Sequence, residues 1–167
     1  MDLKEIYLAG GCFWGVEKYF SLIKGVVETS VGYANGTYHQ PAYQEVCRGE
    51  GNFAETVKVV YDSERVSLDF LLQMYYDIID PTLLNRQGPD RGVQYRTGIY
   101  YTDPADEEIV RRSLMDLQSK FIETIQVEGE SLKNYYRAEE YHQSYLDKNP
   151  GGYCHIGQDS FRRARQG

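Results

Sequence analysis

Cys12 is the residue best placed to do chemistry. It follows the apolar run Ile6-Tyr7-Leu8-Ala9 and the pair Gly10-Gly11, and helical spacing begins directly after it. A thiol there faces the unpaired N–H groups and the positive end of a helix, which favour the nucleophilic thiolate. A free cysteine also serves as a small buried hydrophobe, so position alone leaves both readings open. Phe13 and Trp14 come next; such aromatics wall a pocket for a small apolar group, or simply belong to the core. The remaining cysteines are Cys47 and Cys154. Three cysteines without Cys-x-x-Cys spacing make neither a disulfide framework nor a zinc site, and no metal is expected. Glu45-Val46-Cys47 reads as strand-like, so Cys47 is expected to be a buried structural residue. His39, His142 and His155 are scattered and read as surface or internally satisfied residues. Glu55 heads a strand, Asp90 sits in a Gly-Pro-Asp loop, and Tyr43 and Tyr95 are two of 16 tyrosines. By type alone these four are an exposed acid, a turn residue and packing groups.

The elements that would position these residues follow from periodicity. Ile6–Ala9 reads as a strand, 13–23 as a helix with apolar residues at Trp14, Val16, Tyr19, Phe20 and Ile23, and Val26–Tyr33 as a β-branched strand. From Glu55 to Tyr61 the chain alternates, with Val57, Val59 and Tyr61 on one face. A helix is predicted over 68–79, stopped by Pro81, and a strand over 97–101. Another helix is predicted over 104–121, with Asp106, Glu107 and Glu108 in its first turn. A strand over 125–128 and a helix over 138–146 complete the pattern. The first six elements, β-α-β-β-α-β, match the split βαβ or ferredoxin-like arrangement, an α+β two-layer sandwich. Residues 34–53 and 80–96 fit no element; loops of that length in a compact domain are usually functional. Residues 1–167 read as one catalytic domain with a mobile C-terminal tail from about 149, in which Arg162-Arg163-Ala164-Arg165 is solvated.

The 167 residues suffice for one domain with its own core. Lys and Arg number 18 against 25 Asp and Glu, a net charge of -7. That excludes a general nucleic-acid binder, which needs a basic face. No apolar run is long enough for a membrane helix, and the opening Met1-Asp2-Leu3-Lys4-Glu5 lacks the features of a signal peptide. The expectation is a cytoplasmic monomer.

Gly11-Cys12-Phe13-Trp14-Gly15 resembles the signature of the peptide methionine sulfoxide reductase A family. The resemblance continues through Val31-Gly32-Tyr33-Ala34, Pro41-Ala42-Tyr43-Gln44-Glu45-Val46-Cys47 and Ala54-Glu55. It extends to Asp80-Pro81-Thr82, Asn85-Arg86-Gln87-Gly88 and Asp90-Arg91-Gly92-Val93-Gln94-Tyr95-Arg96. Glu139-Glu140-Tyr141-His142-Gln143 and Gly152-Tyr153-Cys154 are similar to the family's tail. The resemblance implies an enzyme that reduces the S epimer of methionine sulfoxide in proteins and peptides, and so repairs oxidised proteins. It implies no bound cofactor, with thioredoxin as the external reductant. Cys12 would be the nucleophile and Glu55 the acid. Tyr43 and Tyr95 would donate to the sulfoxide oxygen, Asp90 would support the polar side, and Phe13 and Trp14 would hold the substrate methyl. Cys154 would resolve the oxidised Cys12. The chain departs from the family at Asn52-Phe53, where Gly-His is usual, which puts substrate contacts near Phe53 in question. The family's second recycling cysteine is also absent.

The chemistry asks for the same groups. Reducing a sulfoxide needs a soft nucleophile at sulfur while the oxygen takes up a proton. An ordinary glutamate, with a pKa near 4.3, supplies that proton at neutral pH only if burial raises it. A wall of Phe13, Trp14, Tyr43 and Tyr95 would do so. Two rivals remain. In a papain-like cysteine protease, Cys12, Phe13, His142 and Asn149 would carry the chemistry, although Gly10-Gly11 does not match that family's approach to its cysteine. In a peptide-binding module, Cys12 would merely pack.

Overall fold

The computed structural model describes every residue from Met1 to Gly167. Along the chain run β1 (Leu3–Gly10), α1 (Phe13–Ser21), β2 (Val26–Ala34), α2 (Tyr43–Cys47), β3 (Ala54–Asp62) and α3 (Leu68–Tyr76). The short β4 (Arg86–Gln87) and β5 (Asp90–Arg91) follow, then β6 (Thr97–Tyr101) and α4 (Asp106–Gln118). The last elements are β7 (Glu128–Ser131), β8 (Tyr135–Arg137), α5 (Tyr145–Lys148) and α6 (Gln158–Gln166).

Six strands form one sheet in the order β7-β6-β1-β3-β2-β8. Its middle four run β6-β1-β3-β2, and every neighbouring pair is antiparallel. This is the predicted ferredoxin-like core: α1 links β1 to β2, α3 links β3 to β6, and each helix crosses over an intervening strand. Beyond the core, β7 adds parallel to β6 and β8 antiparallel to β2. The period-2 pattern of the strands sorts the side chains. Ile6, Leu8, Val31, Val57, Val59 and Ile99 meet Val16, Phe20, Leu71 and Leu72 of the helices in the main core. Tyr7, Ala9, Ala34, Ala54 and Tyr100 form a smaller cluster that Leu132 and Tyr135 pack against. Ser67 caps α3, its Oγ accepting the Phe70 N–H at 3.1 Å.

Several boundaries differ from the sequence expectation. Pairing with β6 begins at Glu128 rather than near 125. The Ile125 N–H donates to Gln118 Oε1, and the Gln126 N–H to the Pro81 carbonyl. The helix predicted over 138–146 is not formed. Glu140–His142 make a 3-10 turn, Ser144 takes a left-handed φ of 51°, and only α5 is α-helical. The Gln143 side chain causes the break: it accepts from the Val31 N–H and donates to the Val31 and Ala138 carbonyls. The loop 34–53 contains α2 and a 3-10 turn, and 80–96 contains the β4–β5 hairpin and a second 3-10 turn. The arginines of the Arg162–Arg165 stretch are exposed as expected, but the stretch is helical: it lies in α6, which buries Phe161 and Ala164 in the core, while Arg163 pairs with Asp77 at 2.9 Å.

Candidate active site

The strand directions bring the candidate residues to one end of the sheet. Gly10 at the end of β1 pairs with Thr97 at the start of β6, and Tyr33 at the end of β2 pairs with Glu55 at the start of β3. That end therefore receives the Cys12 turn, the Tyr43 loop, Glu55, and the Asp90–Tyr95 loop. Both long loops open there.

Glu55 lies on the same face of β3 as Val57 and Val59, so its carboxyl points into the helical layer at the start of α1. It is 1% exposed. Its Oε1 accepts the Phe13 N–H at 3.2 Å, and its Oε2 is buried with no partner. Burial pushes its pKa up to about 8; the Phe13 N–H opposes this and the nearby Asp90 charge adds to it. At neutral pH the carboxyl is mostly protonated, with one oxygen free for an incoming acceptor.

Cys12 occupies the N-cap of α1 and is buried. The expected thiolate is not its resting form. Burial raises the thiol pKa well above the usual cysteine range, the charge of Glu55 raises it further, and the Trp14 N–H only partly opposes them. The helix end supplies donors, but the apolar wall that hides the sulfur outweighs them.

That wall is aromatic. Phe13 packs against Tyr33 and His142, with ring centroids 5.8 and 5.2 Å away. Trp14 stacks on Tyr145 at 3.9 Å and donates from Nε1 to His142 Nδ1 at 3.0 Å. The Tyr43 ring lies 4.5 Å from His142. Tyr43 and Tyr95 are half-buried, and burial raises both phenols, with Glu55 adding to each. They remain donors at neutral pH. Cys12 and Asp90 also lie within electrostatic reach of Tyr95. Asp90 heads β5 and accepts the Tyr153 hydroxyl at 2.7 Å.

Cys154 is half-buried. Its Sγ fills the space a Gly15 side chain would need, 2.8 Å from that Cβ position, three residues past Cys12 on α1. The structure thus gathers Cys12, Glu55, Tyr43, Tyr95, Asp90, Phe13, Trp14 and Cys154. It does not place Cys47 as expected. Residues 43–47 form a helical turn rather than a strand, so Val46 is buried and Cys47 is exposed. Phe53 is fully buried beside Tyr38 and Tyr136. Its departure from the family pattern is accommodated in the core.

Sequence reasoning left two members of the site without a role in this reaction, His142 and Glu139, and gave none to His155, which lies on the tail outside the reacting groups. His142 is 1% exposed and sits inside the aromatic wall with Nε2 unpaired. Glu139 anchors two elements, accepting from the Tyr33 hydroxyl at 2.7 Å and the Tyr43 N–H at 3.2 Å. His155 contacts Gly10 at 3.0 Å. The block Glu139-Glu140-Tyr141-His142-Gln143, similar to the family's tail, carried a signal for the first two, and nothing local marks His155. A surface groove of about 430 Å³ lies between α4 and β7, and none of these residues line it. No group of three or more His, Cys, Asp or Glu side chains is arranged to hold a metal ion.

A model of the peptide methionine sulfoxide reductase family matches residues 4–166. A peptide methionine sulfoxide reductase MsrA of Lachnoclostridium phytofermentans is 57% identical over 162 residues, spanning 97% of this chain and 98% of that protein. Among solved structures, reduced Mxr1 from Saccharomyces cerevisiae superposes with a TM-score of 0.86 at 41% identity, covering 92% of this chain and 89% of that one. Mxr1 in an unusual oxidised form gives 0.69 at 40% identity, with coverages of 92% and 85%. Mxr1 in complex with Trx2 gives 0.63 at 30% identity, with coverages of 86% and 85%.

Proposed function

The chain belongs to the peptide methionine sulfoxide reductase family, and from that premise we propose how its own residues carry out the reaction. The activity is the thiol-dependent reduction of methionine sulfoxide to methionine, with thioredoxin as the reductant. One observation carries the assignment of roles: a buried, protonated Glu55 has a free oxygen beside the cysteine that opens α1.

The substrate methyl lies against Phe13 and Trp14, and the sulfoxide oxygen faces Tyr43, Tyr95 and Glu55. Glu55 gives its proton to that oxygen as Cys12 attacks the substrate sulfur, and the thiol proton passes back to Glu55. The oxygen ends on Cys12 as a sulfenic acid, and methionine leaves with its sulfur reduced by two electrons. The phenols stabilise charge developing on the oxygen, and Asp90 holds the polar side. Cys154 then condenses with the sulfenic acid to a Cys12–Cys154 disulfide, releasing water. Thioredoxin reopens it by thiol exchange. Delivery of Cys154 calls for a mobile tail. With α6 anchored in the core, that freedom belongs to the residues between α5 and α6.

The enzyme acts on free and peptide-bound sulfoxide, as a cytoplasmic monomer. No helix is long and apolar enough to cross a membrane. Because methyl wall and oxygen donors stand on fixed sides, one epimer fits, and membership of the family makes it the S epimer. The test is turnover of pure S and R methionine sulfoxide peptides with thioredoxin, followed by mass analysis of the Cys12 peptide. Reduction of S alone with a sulfenic or disulfide-linked Cys12 is expected. Equal rates for both epimers would sink the pocket assignment.

A further inference from the structure

His155 is fastened to the strand that delivers Cys12. Its Nε2 lies 3.0 Å from the Gly10 carbonyl oxygen. A carbonyl only accepts, so Nε2 carries the proton and Nδ1, buried and without a partner, is the bare nitrogen. The ring fits against Gly11, whose φ is +91° and whose absent Cβ would stand 3.1 Å from Nε2. One residue earlier, Cys154 Sγ rests on Gly15. Residues 154 and 155 therefore grip α1 and its approach on both sides of Cys12. At Gly151 and Gly157, which bracket them, an added Cβ would meet no atom within 4 Å. The segment is pinned in its middle by His155 and by Ile156, which packs in the core, and has open space beside Gly151.

We propose that His155 is a positioning residue for disulfide formation: its bond to the Gly10 carbonyl registers the tail on the end of β1, holding Cys154 about one helical turn from Cys12 before oxidation. The inference rests on reading Cys154 as the resolving thiol. In the step concerned, Cys154 sulfur bonds to Cys12 sulfur and the S–O bond of the sulfenic acid breaks. The hydroxyl leaves as water with the Cys154 thiol proton. Cys154 sulfur is oxidised and Cys12 sulfur reduced. A disulfide needs Cα atoms roughly 4.4–6.8 Å apart, and positions three apart on a helix hold their Cβ atoms ~5–6 Å apart. From its seat at Gly15, the thiol has a short way to travel. Rotation at Gly151 and about the Cys154 side chain supplies that movement while His155 stays fixed. Without the pin, the segment samples many placements and the encounter slows.

The test compares the full-length parent with His155→Ala and His155→Gln. Each is mixed with one equivalent of a methionine sulfoxide peptide, without reductant. Methionine release, dimedone-trapped sulfenic acid on Cys12 and the Cys12–Cys154 disulfide are followed in quenched samples by mass. All three proteins are expected to release methionine at the same rate, which also shows that the site is folded. His155→Ala should close the disulfide about tenfold more slowly and accumulate trapped sulfenic acid. His155→Gln, whose side-chain N–H reaches the same carbonyl, should recover to within about twofold of the parent. His155→Met fills the volume without a donor; it should match His155→Ala and serves where a cavity loosens the fold. Disulfide closure at the parent rate in the Ala and Met variants overturns the proposal. So does a Gln variant as slow as Ala, since the bond to Gly10 would then not be the cause. A parent that releases methionine but never joins Cys12 to Cys154 overturns the underlying reading instead, and the pin with it.

Discussion

Glu55 and Cys12 show how burial sets chemistry at the scale of single residues. Both are raised chiefly by desolvation. For the acid this is useful, since it holds a proton near pH 7. Glu55→Gln keeps the shape but has no proton to give, so the rate should fall by ~10²–10⁴, read from single-turnover methionine release. In the parent, the active form is the protonated carboxyl. Activity should therefore hold below about pH 8 and decline above it, and a profile flat through pH 9 would remove Glu55 from the acid role. The same shift has a stability consequence. The folded pKa lies above the unfolded one, so the unfolded state releases the proton more readily as pH rises between them. Glu55 therefore destabilises the fold increasingly over that window, by on the order of 3 kcal/mol at pH 7 as an upper limit. Glu55→Gln should melt higher than the parent at pH 7 to 8, with the difference vanishing near pH 4. Among the thiols, Cys12→Ser should abolish reduction. Cys47→Ser should turn over normally and lose no stability, because Cys47 is exposed; failure to recycle would make Cys47 the resolving thiol.

At the scale of elements, the segment from Ala138 to Leu146 has a helix-like pattern but does not form one long helix. The Gln143 amide reaches the backbone of β2 at Val31 and acts in place of a strand partner. Glu17 on α1 then fixes the left-handed Ser144, its Oε1 accepting that N–H at 2.7 Å. These contacts orient His142 into the aromatic wall. Gln143→Leu would leave the buried Val31 N–H unpaired, at a cost of ~1–3 kcal/mol. The melting temperature should drop by roughly 5 °C, and an unchanged melting curve would refute this account. The episode shows what periodicity carries. The core elements were legible because each has enough residues to display its period, and their order led to the ferredoxin-like core. Glu55, by type an exposed acid, took its role from the resemblance alone; its burial follows from the face it shares with Val57 and Val59 once the helices cover that face. The segment 138–146 and Cys47 were misread because their conformations depend on distant partners or on only two or three residues of pattern. Val46-Cys47 fits a strand or a helical turn equally well. The raised thiol at Cys12 was hidden too, since residues far apart in the chain build the wall around it. His142, for one, is 128 residues from Trp14.

At the scale of the whole molecule, the proposed mechanism divides the fold into a fixed part and a moving one. The sheet end and the start of α1 hold the proposed nucleophile, acid and donors, while the proposed resolving thiol lies on a segment anchored beyond by α6. This division suits a two-stage reaction. The first stage needs fixed geometry, because an oxygen passes between two sulfurs while the acid and the phenol donors face it. The second needs exposure, because the disulfide must meet the thiol of another protein. The tail also touches the site in its reduced form: Tyr153 donates to Asp90, and Cys154 rests on Gly15. Oxidation of Cys12 and closure of the disulfide would pull Cys154 off Gly15 toward Cys12, straining the neighbouring Tyr153 contact and loosening the segment for thioredoxin. Cys154→Ser separates the stages. The variant should still reduce one equivalent of sulfoxide, since every group of the first stage is intact. It should then carry a dimedone-trappable sulfenic acid on Cys12 and stall with thioredoxin, which would have no intramolecular disulfide to open. A small thiol, able to reach Cys12 directly, should restore turnover. If Cys154→Ser cycles with thioredoxin as fast as the parent, the second stage does not pass through Cys154, and the tail has no part in catalysis.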